Sequence, residues 1–171
     1  MKRIAFLLLT TLLTLADANA GRAAGPYSAD AKLLGAINSL RAGAGLQQLS
    51  PDARLTCAAG RHAADNARRG TLDHTGTDGA DLATRLARVG YPYRMAAENL
   101  ALAGRDPAEI LTLWQTSPGH RRNLLRPQAR AAGIGRAIHE KQEVWVLIIA
   151  AENGEFPGKQ GLSTQFACVS G

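Results

Sequence analysis

The most constraining feature of the sequence is a continuous apolar run near its C-terminal end, from Val144 to Ala150. Such a run bounded by polar turns predicts a strand. Residues 133–139 predict a second strand, and the polar residues Glu140 to Glu143 form a natural hairpin connection between the two. Because the preceding chain is mainly helical in pattern, the sequence predicts an α+β fold with helices first and antiparallel strands last.

Two helices are expected before residue 71. Apolar residues at helical spacing predict the first helix from Ser28 to Gly43. The second is expected to begin at Ser50, with its side chain as N-cap and Pro51 in the first turn, and to run to Gly70.

The middle of the chain predicts shorter elements. Residues 82–89 have the spacing of a short helix, and Asp106 is a suitable N-cap for another, followed by a further helix at residues 119–125. Residues 95–102 are too short and mixed for periodicity to decide, and we expect a strand or an extended turn there.

The N-terminus has the pattern of a cleavable secretory signal at residues 1–20. Lys2 and Arg3 precede an apolar stretch at residues 4–15, and Ala18-Asn19-Ala20 is a small-residue cleavage site. The apolar stretch is shorter than the roughly 20 residues that span a bilayer, which argues against a retained anchor. The sequence therefore predicts an exported protein, periplasmic or extracellular, with no transmembrane segment after processing.

Processing would leave about 150 residues, the size of one domain. Residues 21–27 form a short unpatterned lead, and residues 28–171 are expected to form a single domain. Cys57 and Cys168 are the two cysteines, and export favours a disulfide between them over two buried, reduced thiols.

The chain is basic, with a formal net charge of +6. A basic surface could meet nucleic acid, anionic lipid or an acidic wall polymer. The arginines are scattered and aromatic residues make up only 5% of the chain, so no stacking platform for bases is visible. We expect no nucleic-acid partner, and a solvated basic face is the simpler interpretation.

Three residues stand out as candidates for chemistry. His74 lies in the loop at residues 73–79, His120 opens a short helix, and Glu98 lies in a mostly apolar segment. A buried carboxylate is costly unless it is paired or bound to a cation. Two imidazoles and a carboxylate are ligands that zinc accepts, with a position left for water or substrate, although their spacing matches no compact metal motif.

Four short segments in this order resemble the bacterial branch of the CAP superfamily, the cysteine-rich secretory, antigen 5 and pathogenesis-related proteins with SCP domains. The likeness runs from about Leu33 to Ala150. The segments are His74-Thr75-Gly76-Thr77-Asp78-Gly79, Ala97-Glu98-Asn99-Leu100, the stretch from Trp114 to Leu125, and Gly133-Ile134-Gly135.

The resemblance implies an α-β-α sandwich, with an antiparallel sheet between helical layers and a cleft that holds two histidines and acidic residues. His74 and His120 match the paired histidines, and Glu98 matches the acidic residue of the Glu-Asn-Leu motif. Asn99 is expected to fix the cleft backbone by hydrogen bonds. The implied metal ligands are His74, His120 and Glu98, with a divalent cation such as zinc.

The chain departs from the larger eukaryotic members of this family at one acidic position. Where they have a glutamate three residues after a tryptophan, this chain has Ser117. Asp78 could supply the missing carboxylate, or it could simply cap a helix beginning near Gly79. Ser117, His120 and Glu98 could form a hydrolase triad, although Ser117 is also a suitable N-cap before a proline.

Other residues have simpler interpretations. His62 falls on an apolar helix face and is expected to be structural, while Trp114 and Trp145 are expected in the core. Arg121 and Arg122 beside His120 could dock an anionic ligand, but solvated arginines are the default.

We therefore expect a secreted CAP protein that binds a divalent cation, a small molecule or a lipid in its cleft and acts by recognition of an extracellular small molecule, lipid or protein. The alternative is a metal-dependent extracellular hydrolase of peptide, ester or wall polymer, in which a metal activates water. A third hypothesis, adhesion to an anionic surface, rests on charge alone. The resemblance implies no common reaction, and fold does not fix function.

Overall fold

The structure is a computed structural model, and it describes residues 27–153. The predicted signal peptide, nearly all of the lead, and Cys168 lie outside the described residues, so the export signal and the disulfide stay predictions. Within residues 27–153, no helix is both long enough and apolar enough to cross a bilayer.

The described residues form five helices and four strands. The helices are α1 (Tyr27–Gly43), α2 (Ala53–Arg69), α3 (Leu82–Arg88), α4 (Pro107–Thr116) and α5 (Pro118–Leu124). The strands are β1 (Ser50–Pro51), β2 (Tyr93–Ala103), β3 (Ala131–His139) and β4 (Gln142–Glu152).

The sheet has the strand order β1-β3-β4-β2. β4 pairs antiparallel with β3 on one side and with β2 on the other. The predicted antiparallel sheet is therefore confirmed for the three long strands, and the undecided segment at residues 95–102 is part of β2. The two-residue strand β1 pairs parallel with β3, which makes the sheet mixed.

The apolar run in β4 supplies both faces of the sheet. Its even-numbered residues pack with α2 and α3, and its odd-numbered residues pack with α1, α4 and α5, because successive side chains of a strand point to opposite faces. The first set is Val144, Val146, Ile148 and Ala150, and the second is Trp145, Leu147 and Ile149. The sheet thus lies between two helical layers, and the predicted α-β-α sandwich is confirmed.

The predicted N-cap of α2 was wrong. Asp52 is the cap, and its Oδ1 accepts hydrogen bonds from the backbone N–H groups of Arg54 at 2.8 Å and Leu55 at 3.2 Å. Ser50 instead lies in β1, where its N–H donates to the carbonyl of Arg130 at 2.9 Å. Ser and Asp are about equally good N-caps, so the local pattern does not decide between Ser50 and Asp52. The pairing of Ser50 with a distant strand decides it, and that pairing cannot be inferred from a local pattern.

Two glycines of β3 let α2 approach the sheet closely. A Cβ placed on Gly133 would lie 2.1 Å from the carbonyl carbon of Leu55, and one on Gly135 would lie 2.2 Å from that of Ala59. Both contacts are with helix backbone, which cannot move aside as a flexible side chain can. The Gly-Ile-Gly segment is therefore a packing requirement of this fold.

We expect Gly135→Ala to lower the free energy of unfolding by about 3 kcal/mol, because the methyl group would push α2 off the sheet. Urea denaturation with circular dichroism measures this. Gly35→Ala, where a Cβ on α1 meets no atom within 4 Å, is the matched control and should stabilise by up to about 1 kcal/mol. A Gly135→Ala variant as stable as the wild type would contradict the packing argument.

Candidate functional site

Glu98 is the centre of the candidate site. It lies in β2 opposite Ile148, which places it on the sheet face covered by α2 and α3. The residue is only 7% exposed. An ionised carboxylate at this depth needs compensating charge and hydrogen bonds.

Three side chains surround this carboxylate. Arg85 Nη2 donates to Glu98 Oε2 at 2.7 Å, and His74 Nδ1 lies 2.8 Å from Oε1. His62 Nε2 is farther away, at 3.8 Å from Oε1. The predicted association of His74 with Glu98 is therefore present in the structure, and both oxygens of the carboxylate have a close partner.

Arg85 is the residue that sequence reasoning missed. Its Nη1 donates to the backbone carbonyls of His74 and Ala80, both at 2.9 Å, so one guanidinium holds both the loop and the carboxylate. A signal was available: Arg85 lies three residues after Leu82 and four before Val89, on the apolar side of α3. A charged residue on such a stripe needs a buried partner.

His62 and Asn66 fix the start of the loop from α2. Asn66 Oδ1 accepts from the backbone N–H of Asp73 at 2.7 Å, and its Nδ2 donates to the carbonyl of Asp73 at 3.1 Å. Asn66 Nδ2 also lies 3.2 Å from His62 Nε2. His62 is buried, as the structural interpretation predicts, and burial lowers its pKa.

Asn99 organises the opposite face of β2. Its Nδ2 donates to the backbone carbonyl of His120 at 3.1 Å, and its Oδ1 accepts from Asn123 Nδ2 at 2.9 Å. Asn123 Nδ2 also lies 3.2 Å from the carbonyl of Glu98. These bonds fix α5 against β2, which is the backbone role predicted for Asn99.

The imidazoles of His74 and His120, the two histidines of the predicted cleft, have pKa values shifted in opposite directions. The hydrogen bond with Glu98 raises the pKa of His74, whose side chain is 63% exposed. Burial lowers the pKa of His120, and the positive charge of His74 lowers it further. The two rings are therefore within electrostatic reach, although no hydrogen bond or ion pair within residues 27–153 joins the His120 ring to Glu98.

The described donor set does not fit a metal centre. Both oxygens of Glu98 are engaged by Arg85 and His74, and the buried guanidinium charge opposes a divalent cation at the same carboxylate. Within residues 27–153 no group of three or more His, Cys, Asp or Glu side chains is arranged to hold a metal ion. The zinc site stays a prediction, and we derive no metal chemistry from this arrangement.

Neither Ser117 nor Asp78 makes a hydrogen bond or an ion pair with Glu98 in the described part of the chain. Ser117 occupies the N-cap position of α5, but its side chain makes no capping hydrogen bond. Asp78 pairs with Arg88 and accepts from the N–H of Ala80 at 3.0 Å. The prediction that Asp78 caps the following helix was wrong, because Asp81 caps α3 through the N–H of Thr84.

Comparisons with known proteins agree with this fold. The model of the cysteine-rich secretory protein family, CAP, matches residues 34–149. The uncharacterized protein YkwD of Bacillus subtilis (strain 168) is 28% identical over 114 residues, which cover 67% of this chain and 44% of that protein. The chain thus matches less than half the length of this curated relative.

Solved structures show the same architecture. An extracellular protein containing an SCP domain from Bacillus anthracis str. Ames is 25% identical, with a TM-score of 0.65, over 71% of this chain and 40% of that one. An outer surface protein from Borrelia burgdorferi is 21% identical, with a TM-score of 0.68, over 74% of this chain and 94% of that one, and shows the fold alone. The protein is of the CAP/SCP fold class, and the chain belongs to the cysteine-rich secretory protein family.

We expect histidine NMR titrations to place the pKa of His74 above the ordinary histidine range and that of His120 below it. The His74–Glu98 contribution to stability is then complete below the pKa of His74 in the unfolded chain and is lost as pH rises through the folded pKa. In His74→Gln the pKa of His120 should rise, because a neighbouring positive charge is removed. An unchanged His120 titration would show that the two rings do not interact.

Proposed function

We propose that this chain is an exported CAP protein that acts by recognition, binding a small ligand or a partner group at the His74 and His120 imidazoles. The observation that carries the proposal is the fixed position of Glu98. Its carboxylate is engaged by Arg85 at 2.7 Å and by His74 at 2.8 Å, so it serves to hold the cleft rather than to react.

With Glu98 engaged, the ring nitrogens of His74 and His120 are the atoms that we propose bind a ligand. His74 Nδ1 faces Glu98, which leaves Nε2 for a ligand, and the raised pKa of His74 favours a protonated, donating ring. Burial favours the neutral form of His120, which has both a donor and an acceptor nitrogen. A ligand with a carboxylate or hydroxyl group matches this pair.

Export is part of the proposal and is supported from two directions. The pattern at residues 1–20 is that of a secretory signal. A structural relative at 25% identity is described as an extracellular protein. An extracellular ligand would have access to His74, whose side chain is 63% exposed.

One observation favours a hydrolase as the second candidate. The 2.8 Å contact between His74 Nδ1 and Glu98 Oε1 is the geometry by which a carboxylate orients a general-base imidazole. In that case His74 Nε2 would activate water for attack on an ester or amide. Zinc-assisted hydrolysis is the same candidate with a metal added, and the engaged Glu98 carboxylate argues against it.

The test uses residues 21–171 and ligand-observed NMR with three probes: zinc ion, short-chain carboxylates and a water-soluble sterol ester. At least one carboxylate or sterol probe should bind saturably and shift the His74 and His120 ring resonances. His74→Gln should weaken that binding by about tenfold, the effect of losing one charge-assisted hydrogen bond.

His139→Gln is the matched control, because the His139 ring lies 2.9 Å from the carbonyl of Ala67 and has no hydrogen bond or ion pair with His74, Glu98 or His120 within residues 27–153. It should bind the probe as the wild type does. Binding that is unaffected by His74→Gln would overturn the assignment of the cleft. Turnover of a peptide or ester panel that His74→Gln abolishes would establish the hydrolase in place of recognition.

A further inference from the structure

A concave surface lies on the side of the sheet that α2 and α3 cover. It is a groove of about 410 Å³ between α2, the loop at residues 76–78 and α3. We call it the α2–α3 groove. Its lining includes His62 and four arginines, which are Arg61, Arg68, Arg85 and Arg88.

The acidic side chains of the groove are already engaged. Asp65 pairs with Arg68 at 2.9 Å and also accepts from both the N–H and the hydroxyl of Thr77. Asp78 pairs with Arg88. Arg61 is exposed and makes no ion pair with another residue in the described part of the chain. Arg85, by contrast, is paired with the Glu98 carboxylate at 2.7 Å. The excess positive charge that the groove presents to a ligand therefore comes from Arg61.

Two buried polar atoms on the lining residues have no hydrogen-bond partner within residues 27–153. They are Nε of Arg85 and Nδ1 of His62. Both residues are more than nine-tenths buried, at 7% and 2% exposure. Buried polar groups are nearly always paired, so each unpaired one calls for a partner such as a ligand or an ordered water.

Of the two unpaired atoms, Arg85 Nε is an N–H donor, because a guanidinium in a protein is always protonated. Because the backbone N–H of Asp73 must meet an acceptor, the 2.7 Å contact assigns Oδ1 of Asn66 to that side and directs Nδ2 toward His62 Nε2. Nδ2 also lies 3.2 Å from the carbonyl of His62 and 3.1 Å from that of Asp73, so its two hydrogens do not fix the tautomer of His62. His62 Nδ1 can therefore donate or accept, while Arg85 Nε can only donate.

We propose that the α2–α3 groove binds a phosphate-type oxyanion. The unpaired buried donor Arg85 Nε–H and the exposed Arg61, which has no ion pair in the described residues, are complementary to an acceptor that carries negative charge and several oxygens. This site is distinct from the His74 and His120 rings of the proposed function and does not depend on that proposal.

The size of the groove favours a phosphate attached to a small organic group. A volume of about 410 Å³ falls within the range of small-molecule pockets and exceeds what one oxyanion needs. Ala58 and Val89 line the same groove and offer apolar contact to that organic group.

The test is a titration of isotope-labelled protein, residues 21–171, with inorganic phosphate and with glycerol 3-phosphate at constant ionic strength. Saturable shifts of the Arg85 Nε–H resonance and of the His62 ring resonances are expected. Arg61→Gln should weaken binding by about tenfold, because one charge-assisted contact is lost. Vesicles of phosphatidic acid, compared with phosphatidylcholine, distinguish a lipid headgroup from the soluble phosphate as the source.

Arg94→Gln is the matched control, since Arg94 is also exposed and lies in β2, outside the groove. It should bind phosphate within about twofold of the wild type, because it removes the same charge elsewhere. His74→Gln should also retain binding, which separates this site from the cleft. Resonance shifts that do not saturate would overturn the proposal. So would a phosphate affinity that falls equally in Arg61→Gln and Arg94→Gln, because the binding would then depend only on the overall positive charge of the protein.

Discussion

The buried ion pair between Glu98 and Arg85 is the interaction on which the candidate site depends. It joins the edge strand β2 to α3, and the second terminal nitrogen of the same guanidinium holds the loop by the carbonyls of His74 and Ala80. Removing one partner of a buried pair leaves an uncompensated charge and typically costs about 3–5 kcal/mol. The position of His74 therefore depends on this ion pair twice: Glu98 contacts its ring, and Arg85 binds its backbone carbonyl.

The adjacent residues Glu98 and Asn99 connect the two helical layers at one point of the sheet. Because side chains alternate along a strand, Glu98 faces α2 and α3 while Asn99 faces α5. Each then fixes one histidine-bearing segment, the loop of His74 and the helix of His120 respectively. Two residues next to each other in sequence thus bring together histidines from opposite sides of the sandwich.

The sequence predicted those features that local pattern controls. The continuous apolar run of β4 and the helical segment of α2 are local signals, and both elements were confirmed. The Asp52 cap and the β1 pairing were missed because β1 meets β3 across a long sequence separation. Arg85 was missed because its role depends on a carboxylate in another element. The association of His74 with Glu98 came from the family resemblance, since spacing alone could not supply it.

The electrostatics of His74 and His120 support the proposed recognition over general-base catalysis. A general base needs both a neutral ring at the working pH and a group that orients it. Glu98 orients His74, but the same hydrogen bond raises its pKa and favours the protonated ring. His120 has the lowered pKa that suits a base, yet within residues 27–153 no carboxylate contacts its ring. The two properties therefore lie on different imidazoles, an arrangement better suited to holding a ligand than to removing a proton from it.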